Sequence, residues 1–229
     1  MNIALIVAAG RGHRLGGPLP KQYLPLNGGA ILRHTILAWQ THPDIHAVQV
    51  LIHPDDLSLY VGATKGLALR PPLHGGATRQ ESVRNGLLGI ADLHPANVLI
   101  HDAVRPFIGH ATIGAVLASL SRHPGALACV AVTDTLKRVQ DGMVMETIDR
   151  GRIFRAQTPQ GFRYADILAA HQRALREVPG IEFTDDSMIA EFAGLAVEMV
   201  PDSETNFKIT TAQDLRRAET QLSQEETTK

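Results

Sequence analysis

The residues best suited to chemistry lie close to the start of the chain. The stretch Ala8-Ala-Gly-Arg-Gly-His-Arg-Leu-Gly-Gly-Pro-Leu-Pro-Lys-Gln-Tyr interleaves glycines with Arg11, Arg14 and Lys21. Glycines let backbone N–H groups come close to phosphate oxygens, and basic side chains add charge, so the segment reads as an anion-binding loop. It is not a dinucleotide fingerprint, because Leu15 stands where the third glycine belongs, and it is not a Walker loop, because Pro18 follows Gly17. No Asp or Glu occurs before Asp44, whereas Arg11, Arg14, Lys21 and Arg33 do, which adds to the case for a local anion site. A second candidate segment, His101-Asp-Ala-Val-Arg-Pro, places Asp102 and Arg105 just after a strand-like run. An internal ion pair between these two residues is as good a reading as a ligand site.

These residues need a scaffold. Ile3 to Ala9 is a continuous apolar run, expected of a central parallel strand buried on both faces. Apolar spacing over about 30–40 predicts a helix and Val48 to Ile52 a second strand, which makes a βαβ unit. Thr78-Arg-Gln-Glu81 reads as a capping box opening a helix with Val83, Leu87 and Leu88 inward. The strand Val98 to His101 then delivers Asp102 and Arg105 to the carboxyl end of a sheet, where open α/β folds bind ligands. A helix at about 111–121 and a strand at 126–132 continue the alternation. The expected class is therefore α/β, with an open, mostly parallel, twisted sheet.

The pattern breaks at about 136–156. Asp141-Gly142 between two strand-like runs signals a hairpin, read as a protruding β-arm whose uncovered face calls for a second subunit. Helices at about 164–177 and 185–192, a strand at 197–200 and a helix from Ala212 follow. Ser223 to Lys229 is read as a polar tail that frays, and 1–229 as one domain.

With 229 residues, a formal net charge of −1 and ten aromatic residues, the chain lacks the bulk charge and stacking platforms of a nucleic-acid binder. The seven-residue run at Ile3 to Ala9 is too short to span a bilayer, so no membrane contact is expected. Cys129 is the single cysteine; it rules out an intrachain disulfide, suits a reducing cytoplasm, and is read as an inert core residue. Pro43 spoils the spacing of His42 and His46 as zinc ligands, and no zinc is expected.

Further motifs follow in order: GGATRQESV from Gly75, HDAVRP from His101, TDTLKR from Thr133, QTPQGF from Gln157, TDDSM from Thr184 and NFKITT from Asn206. Together with AAGRGHRLGG and PKQY, they resemble the 2-C-methyl-D-erythritol 4-phosphate cytidylyltransferase family over roughly residues 2–220. The resemblance implies a Rossmann-like nucleotidyltransferase fold. It also implies attack by the acceptor phosphate on the α-phosphorus of CTP, release of pyrophosphate and a requirement for Mg²⁺; the homodimer is expected from the arm itself. A phosphate nucleophile is already ionised, so such chemistry needs cations and positioning rather than a general base.

Carried over by position, Arg14 and Lys21 are the catalytic cations. Ala8, Ala9, Gly10, Gly12, Gly75, Gly76, Ala77, Ser82, Asp102, Ala103 and Arg105 bind nucleotide, with the Ser82 hydroxyl on the cytosine edge or else satisfied by its own helix. Asp102 is also the candidate Mg²⁺ ligand. Arg150 and Lys208, with Thr135, Thr158, Thr184 and Asp185, are implied for the acceptor, a polyol phosphate; without the resemblance, Arg150 and Lys208 read as surface cations.

Val104 departs from the alanine frequent in HDAVRP, and a ribitol 5-phosphate cytidylyltransferase is the alternative. A nucleotide-binding module without catalysis is disfavoured by the presence of Arg14 and Lys21, and a dehydrogenase by Leu15. NFKITT also resembles versions of this enzyme fused to a cyclodiphosphate synthase.

Overall fold

The computed structural model describes residues 1–11 and 19–227. The chain opens with β1 (Asn2–Ala8), and the short strands β2 (Pro25–Leu26) and β3 (Gly29–Ala30) lead into α1 (Ile31–Gln40). Next come β4 (Ala47–Ile52), α2 (Leu57–Ala63), β5 (Leu73–His74), α3 (Arg79–Gly89) and β6 (Asn97–Asp102). The second half holds α4 (His110–Leu120), β7 (Gly125–Ala131), β8 (Leu136–Gln140), β9 (Met143–Ile148) and β10 (Phe154–Arg163). It ends with α5 (Tyr164–Glu177), α6 (Asp186–Phe192), β11 (Val197–Pro201) and α7 (Ala212–Thr227).

Seven strands form one sheet in the order β11-β7-β10-β6-β1-β4-β5. β1 pairs in parallel with β4 and β6, β5 extends that side, and β11 runs parallel to β7. β1 is thus central, as its apolar run predicts. Its alternate residues face two separate cores: Ala4 and Ile6 pack with Leu32, Ile36 and Trp39, while Ile3 and Leu5 pack with Val83, Leu87 and Phe162. A third cluster, with Leu26, Ile31, Phe207 and Ile209, seats α7 through Ala218.

Several details differ from expectation. β10 is a sheet strand, antiparallel to both β6 and β7, where the sequence suggested the arm and then a helix. Pro159 and Gly161 mask it: a proline cannot donate to a ladder, and the register duly shifts between Ala156 and Gln160. Leu88 is 50% exposed while Val83 and Leu87 are fully buried, because neighbours on a helix point about 100° apart. α7 runs to Thr227, so much of the stretch read as a frayed tail is helical.

β8 and β9 form the hairpin, which ends at Ile148 rather than near 156. Asp141 (φ 50°) and Gly142 (φ 80°) both take left-handed conformations, as a tight two-residue turn requires. Val139, Met143, Val144 and Met145 on the arm are each more than half exposed. Among the described residues no helix is long and apolar enough to cross a membrane. Cys129 is buried, and burial pushes its thiol up to about 11.

Candidate active site

Because β1, β4 and β6 are parallel, their carboxyl ends share one edge, with Ala8 beside Ile52 and Val7 beside Asp102. Backbone bonds extend the register into the loops: Ala103 N–H donates to Val7 O (3.2 Å) and Gly75 N–H to Ile52 O (2.8 Å). Between these loops lies a cavity of about 380 Å³. Ala8, Ala9, Gly10, Lys21, Gly76, Ala77, Ser82, Asp102, Ala103 and Lys208 all line it. Gly75 and Arg105 do not line it, and Gly12 and Arg14 lie outside the described residues.

Lys21 sits on a 3-10 turn, Lys21–Tyr23, and is 7% exposed. Its neighbour Gln22, which the sequence reading passed over, fixes that turn: Nε2 donates to Ala8 O (2.6 Å) and Gly10 O (3.1 Å). The turn therefore closes back on the end of β1. Two of the other early cations are already engaged, although Arg11 also lines the cavity. Arg11 pairs with Asp55 (2.9 Å) and Asp56 (3.2 Å), and Arg33 donates to Lys65 O (2.8 Å).

The opposite wall is the Gly75–Ser82 segment. A Cβ on Gly75 would stand 2.3 Å from the Ala9 Cβ, so only glycine allows the two loops to meet. Thr78 caps α3 by accepting from Glu81 N–H (3.0 Å), as expected, but the Glu81 carboxylate reaches Ala77 N–H (2.8 Å), one residue beyond the capping-box partner. The Ser82 hydroxyl donates to Thr78 O (2.8 Å) and accepts from Gly76 N–H (2.9 Å). Its proton is spent within the loop, which leaves a lone pair for any ligand.

At the end of β6, Asp102 Oδ2 accepts from Arg105 Nε (3.2 Å) and lies 3.0 Å from Lys208 Nζ. The internal ion pair is present, and Lys208 joins it. Burial opposes the charge on Asp102, but Lys208, Arg79 and Arg105 outweigh it and hold the carboxyl well below the usual carboxylate range. Arg79 also lines the cavity and was not singled out in the sequence. Its own charge resists burial because Asp186 and Asp102 stabilise it.

A buried chain of hydrogen bonds supports this corner. Asp102 N–H donates to Thr158 Oγ1 (3.1 Å), the Thr158 hydroxyl donates to His101 Nδ1 (2.9 Å), and His101 Nε2–H donates to Arg105 O (3.0 Å). Each donor proton has one acceptor, which sets the neutral His101 tautomer. Burial pulls His101 down to about 4. Arg105 Nη1 and Gln157 Nε2 both donate to Asn206 O (2.7 and 3.1 Å), and Asn206 Nδ2 donates to Thr158 O (2.8 Å), so the NFKITT segment is anchored to β6 and β10.

The residues implied for the acceptor do not form one cluster. Thr158 is 4% exposed and its hydroxyl is engaged as described. Thr135 and Arg150 are exposed near the base of the arm, where Arg150 Nη1 donates to Thr133 O. Thr184 is exposed, and Asp185 caps α6 by accepting from Met188 N–H (2.8 Å). Lys208 is the one of the six that lines the cavity.

No group of three or more His, Cys, Asp or Glu residues suited to a metal occurs among the described residues. The donor set fits Mg²⁺ in one manner: Asp102, an ionised carboxylate on the cavity wall, would give one oxygen, and a bound polyphosphate and water the rest.

The family model for IspD, 2-C-methyl-D-erythritol 4-phosphate cytidylyltransferase, matches residues 2–224. The chain is 60% identical over 216 residues to a bifunctional enzyme IspD/IspF of Paramagnetospirillum magneticum, covering 94% of this chain and 55% of that protein. It is 54% identical over 217 residues to the protein of the same name from Rhodospirillum rubrum, covering 94% and 56%. The chain thus spans a little over half the length of these relatives. Among solved structures, 4-diphosphocytidyl-2C-methyl-D-erythritol synthase from Anaerococcus prevotii superposes with a TM-score of 0.85 at 28% identity, covering 97% of this chain and 96% of that one. The 2-C-methyl-D-erythritol 4-phosphate cytidylyltransferase of Francisella tularensis gives 0.81 at 30%, covering 96% and 99%.

Proposed function

Because the chain belongs to the 2-C-methyl-D-erythritol 4-phosphate cytidylyltransferase family, we propose that its edge cavity binds CTP and that it transfers CMP to 2-C-methyl-D-erythritol 4-phosphate. The products are 4-diphosphocytidyl-2-C-methyl-D-erythritol and pyrophosphate. The observation that carries this reading is the convergence of Lys21 and Lys208, from remote parts of the chain, on a cavity walled by the Ala8–Gly10 and Gly76–Ala77 backbone.

The backbone walls suit a flat pyrimidine and its phosphates. Lys21, held by Gln22, neutralises charge that develops on the α-phosphate and the departing pyrophosphate, and Arg14, seven positions earlier in the sequence, is assigned the same work. The acceptor phosphate brings its own negative charge, so the protein supplies alignment in place of a base. Lys208, beside Asp102, screens the approach of that second anion. Asp102 would hold Mg²⁺, which when bound supplies further neutralisation of the triphosphate.

Arg150, Thr135, Thr184 and Asp185 lie away from the nucleotide wall. We assign them to the acceptor, with Arg150 reaching the site in a homodimer whose arm covers a neighbouring protomer. The exposed apolar residues of the hairpin support that assembly. The single, buried Cys129 supports a reducing, cytoplasmic setting.

The test is Mg²⁺-dependent pyrophosphate release from CTP with 2-C-methyl-D-erythritol 4-phosphate, ribitol 5-phosphate or no acceptor. Release with the methylerythritol phosphate alone is expected. Release with ribitol phosphate alone reassigns the acceptor, and silence in all three overturns the reading.

A further inference from the structure

Asp186 is the first residue of α6 and is 0% exposed. Its Oδ2 lies 2.8 Å from Arg79 Nη1, and its Oδ1 accepts from His171 Nε2–H at 3.2 Å. His171, on α5, is also fully buried, and its Nδ1 has no hydrogen-bond partner among the described residues. An ion pair at this depth costs desolvation that its attraction barely repays, so stability alone is a weak reason to keep it. Its other end is informative, because Arg79 opens α3 and lines the cavity, where it also faces Asp102.

The same turn of α6 is fastened to the acceptor side. Gln160 Oε1 accepts from the N–H groups of Asp186 (2.9 Å) and Ser187 (3.0 Å), while Gln160 Nε2 donates to Asp185 Oδ2 (2.9 Å). Thr184 and Asp185, assigned above to the acceptor, are thus continuous with the carboxylate that holds a cation on the nucleotide wall.

We propose that Asp186, oriented by His171, is a positioning residue that aims the Arg79 guanidinium at the bound nucleoside triphosphate and ties the nucleotide wall to the segment that receives the acceptor. The proposal rests on the CTP reading of the cavity. Arg79 touches the nucleotide; Asp186 acts only through Arg79. Without the carboxylate, the guanidinium keeps only the weaker attraction of Asp102 and Asp185 and turns toward Asp102, where it competes with Lys208.

The test is CTP affinity by calorimetry, with melting temperature as the control for folding, for wild type, Arg79→Met, Asp186→Asn and the double variant. Loss of a charge-assisted contact predicts roughly 10- to 100-fold weaker CTP binding in each single variant. Because both act through one guanidinium, the double variant is expected to bind CTP within about twofold of Arg79→Met alone. A merely structural Asp186 would weaken binding further in the Arg79→Met background, and that result overturns the proposal. If Asp186→Asn does not fold, Arg79→Met decides: CTP affinity equal to wild type overturns the proposal, and the stated loss upholds Arg79 as its contact. In that case Asp186 is tested through His171→Phe, which must also weaken CTP binding in the wild-type background and leave Arg79→Met unchanged. Failure of wild type to bind CTP at all instead overturns the cavity reading on which the proposal stands.

Discussion

Lys208 Nζ stands 3.0 Å from Asp102 Oδ2, with the lysine side chain 40% exposed and the carboxylate 11%. The contact exists because Ile209 N–H donates to Val104 O (2.9 Å) and Arg105 Nη1 donates to Asn206 O (2.7 Å), which lays the NFKITT segment beside β6. A lysine that reads as a surface residue is thereby brought to the cavity. Lys208→Ala is expected to lower kcat/KM by about 10²-fold, the cost of removing one preorganised charge contact. The melting temperature should barely move, since Asp102 keeps Arg105. Steady-state kinetics with both substrates varied checks this; turnover within a few-fold of wild type would remove Lys208 from the site.

Lys21 is buried at the cavity but lies on a short turn that Gln22 anchors. Lys21→Ala is expected to reduce turnover by roughly 10²- to 10³-fold while shifting stability by about 1 kcal/mol or less. Arg14→Ala should do the same if the two cations share the transition-state charge. Single-turnover rates at saturating CTP, beside urea unfolding, separate chemistry from folding; near-normal rates in either variant contradict the assignment.

The arm offers a test of assembly. Its exposed Val139, Met143, Val144 and Met145 predict a dimer at micromolar concentration in sedimentation. Deleting Val139 to Met145 is expected to give a monomer with slower turnover, because Arg150 at the arm's base loses its place. A wild-type monomer whose behaviour the deletion leaves unchanged would refute the arm-mediated dimer.

Asp186 gives stability a defined acid dependence. Burial works against its charge, but Arg79 and His171 prevail and hold its carboxyl below the usual range. A carboxyl depressed in the folded state binds its proton more readily when unfolded, so its contribution is complete above about pH 4 and is lost as the pH falls through the folded value. Breaking the buried pair with Asp186→Asn should cost about 3 to 5 kcal/mol at pH 7. That gap should narrow below pH 4, as wild type itself becomes protonated. Urea midpoints from pH 7 to pH 3 for both proteins test it; a gap independent of pH would mean that the charge is not what stabilises the turn.

Local chemistry determined much of this protein. The apolar run at β1, the Thr78 cap and the Asp141-Gly142 turn are legible because each depends on neighbours within a few residues: a buried strand, a first helical turn, a left-handed pair. The glycine and lysine loop could likewise be read as an anion site from residue type alone. Only the tertiary structure decided which distant residues meet. It inserted β10 antiparallel between β6 and β7 despite Pro159, because pairing there depends on what its neighbours offer rather than on local propensity. It engaged the hydroxyls of Ser82 and Thr158 in supporting bonds and spent Arg11 on Asp55 and Asp56. It also brought Arg79 to Asp186 and Lys208 to Asp102. Ion pairs and buried hydrogen bonds act over a few ångströms, and no spacing along the chain reports which remote segments the sheet order will place within that reach.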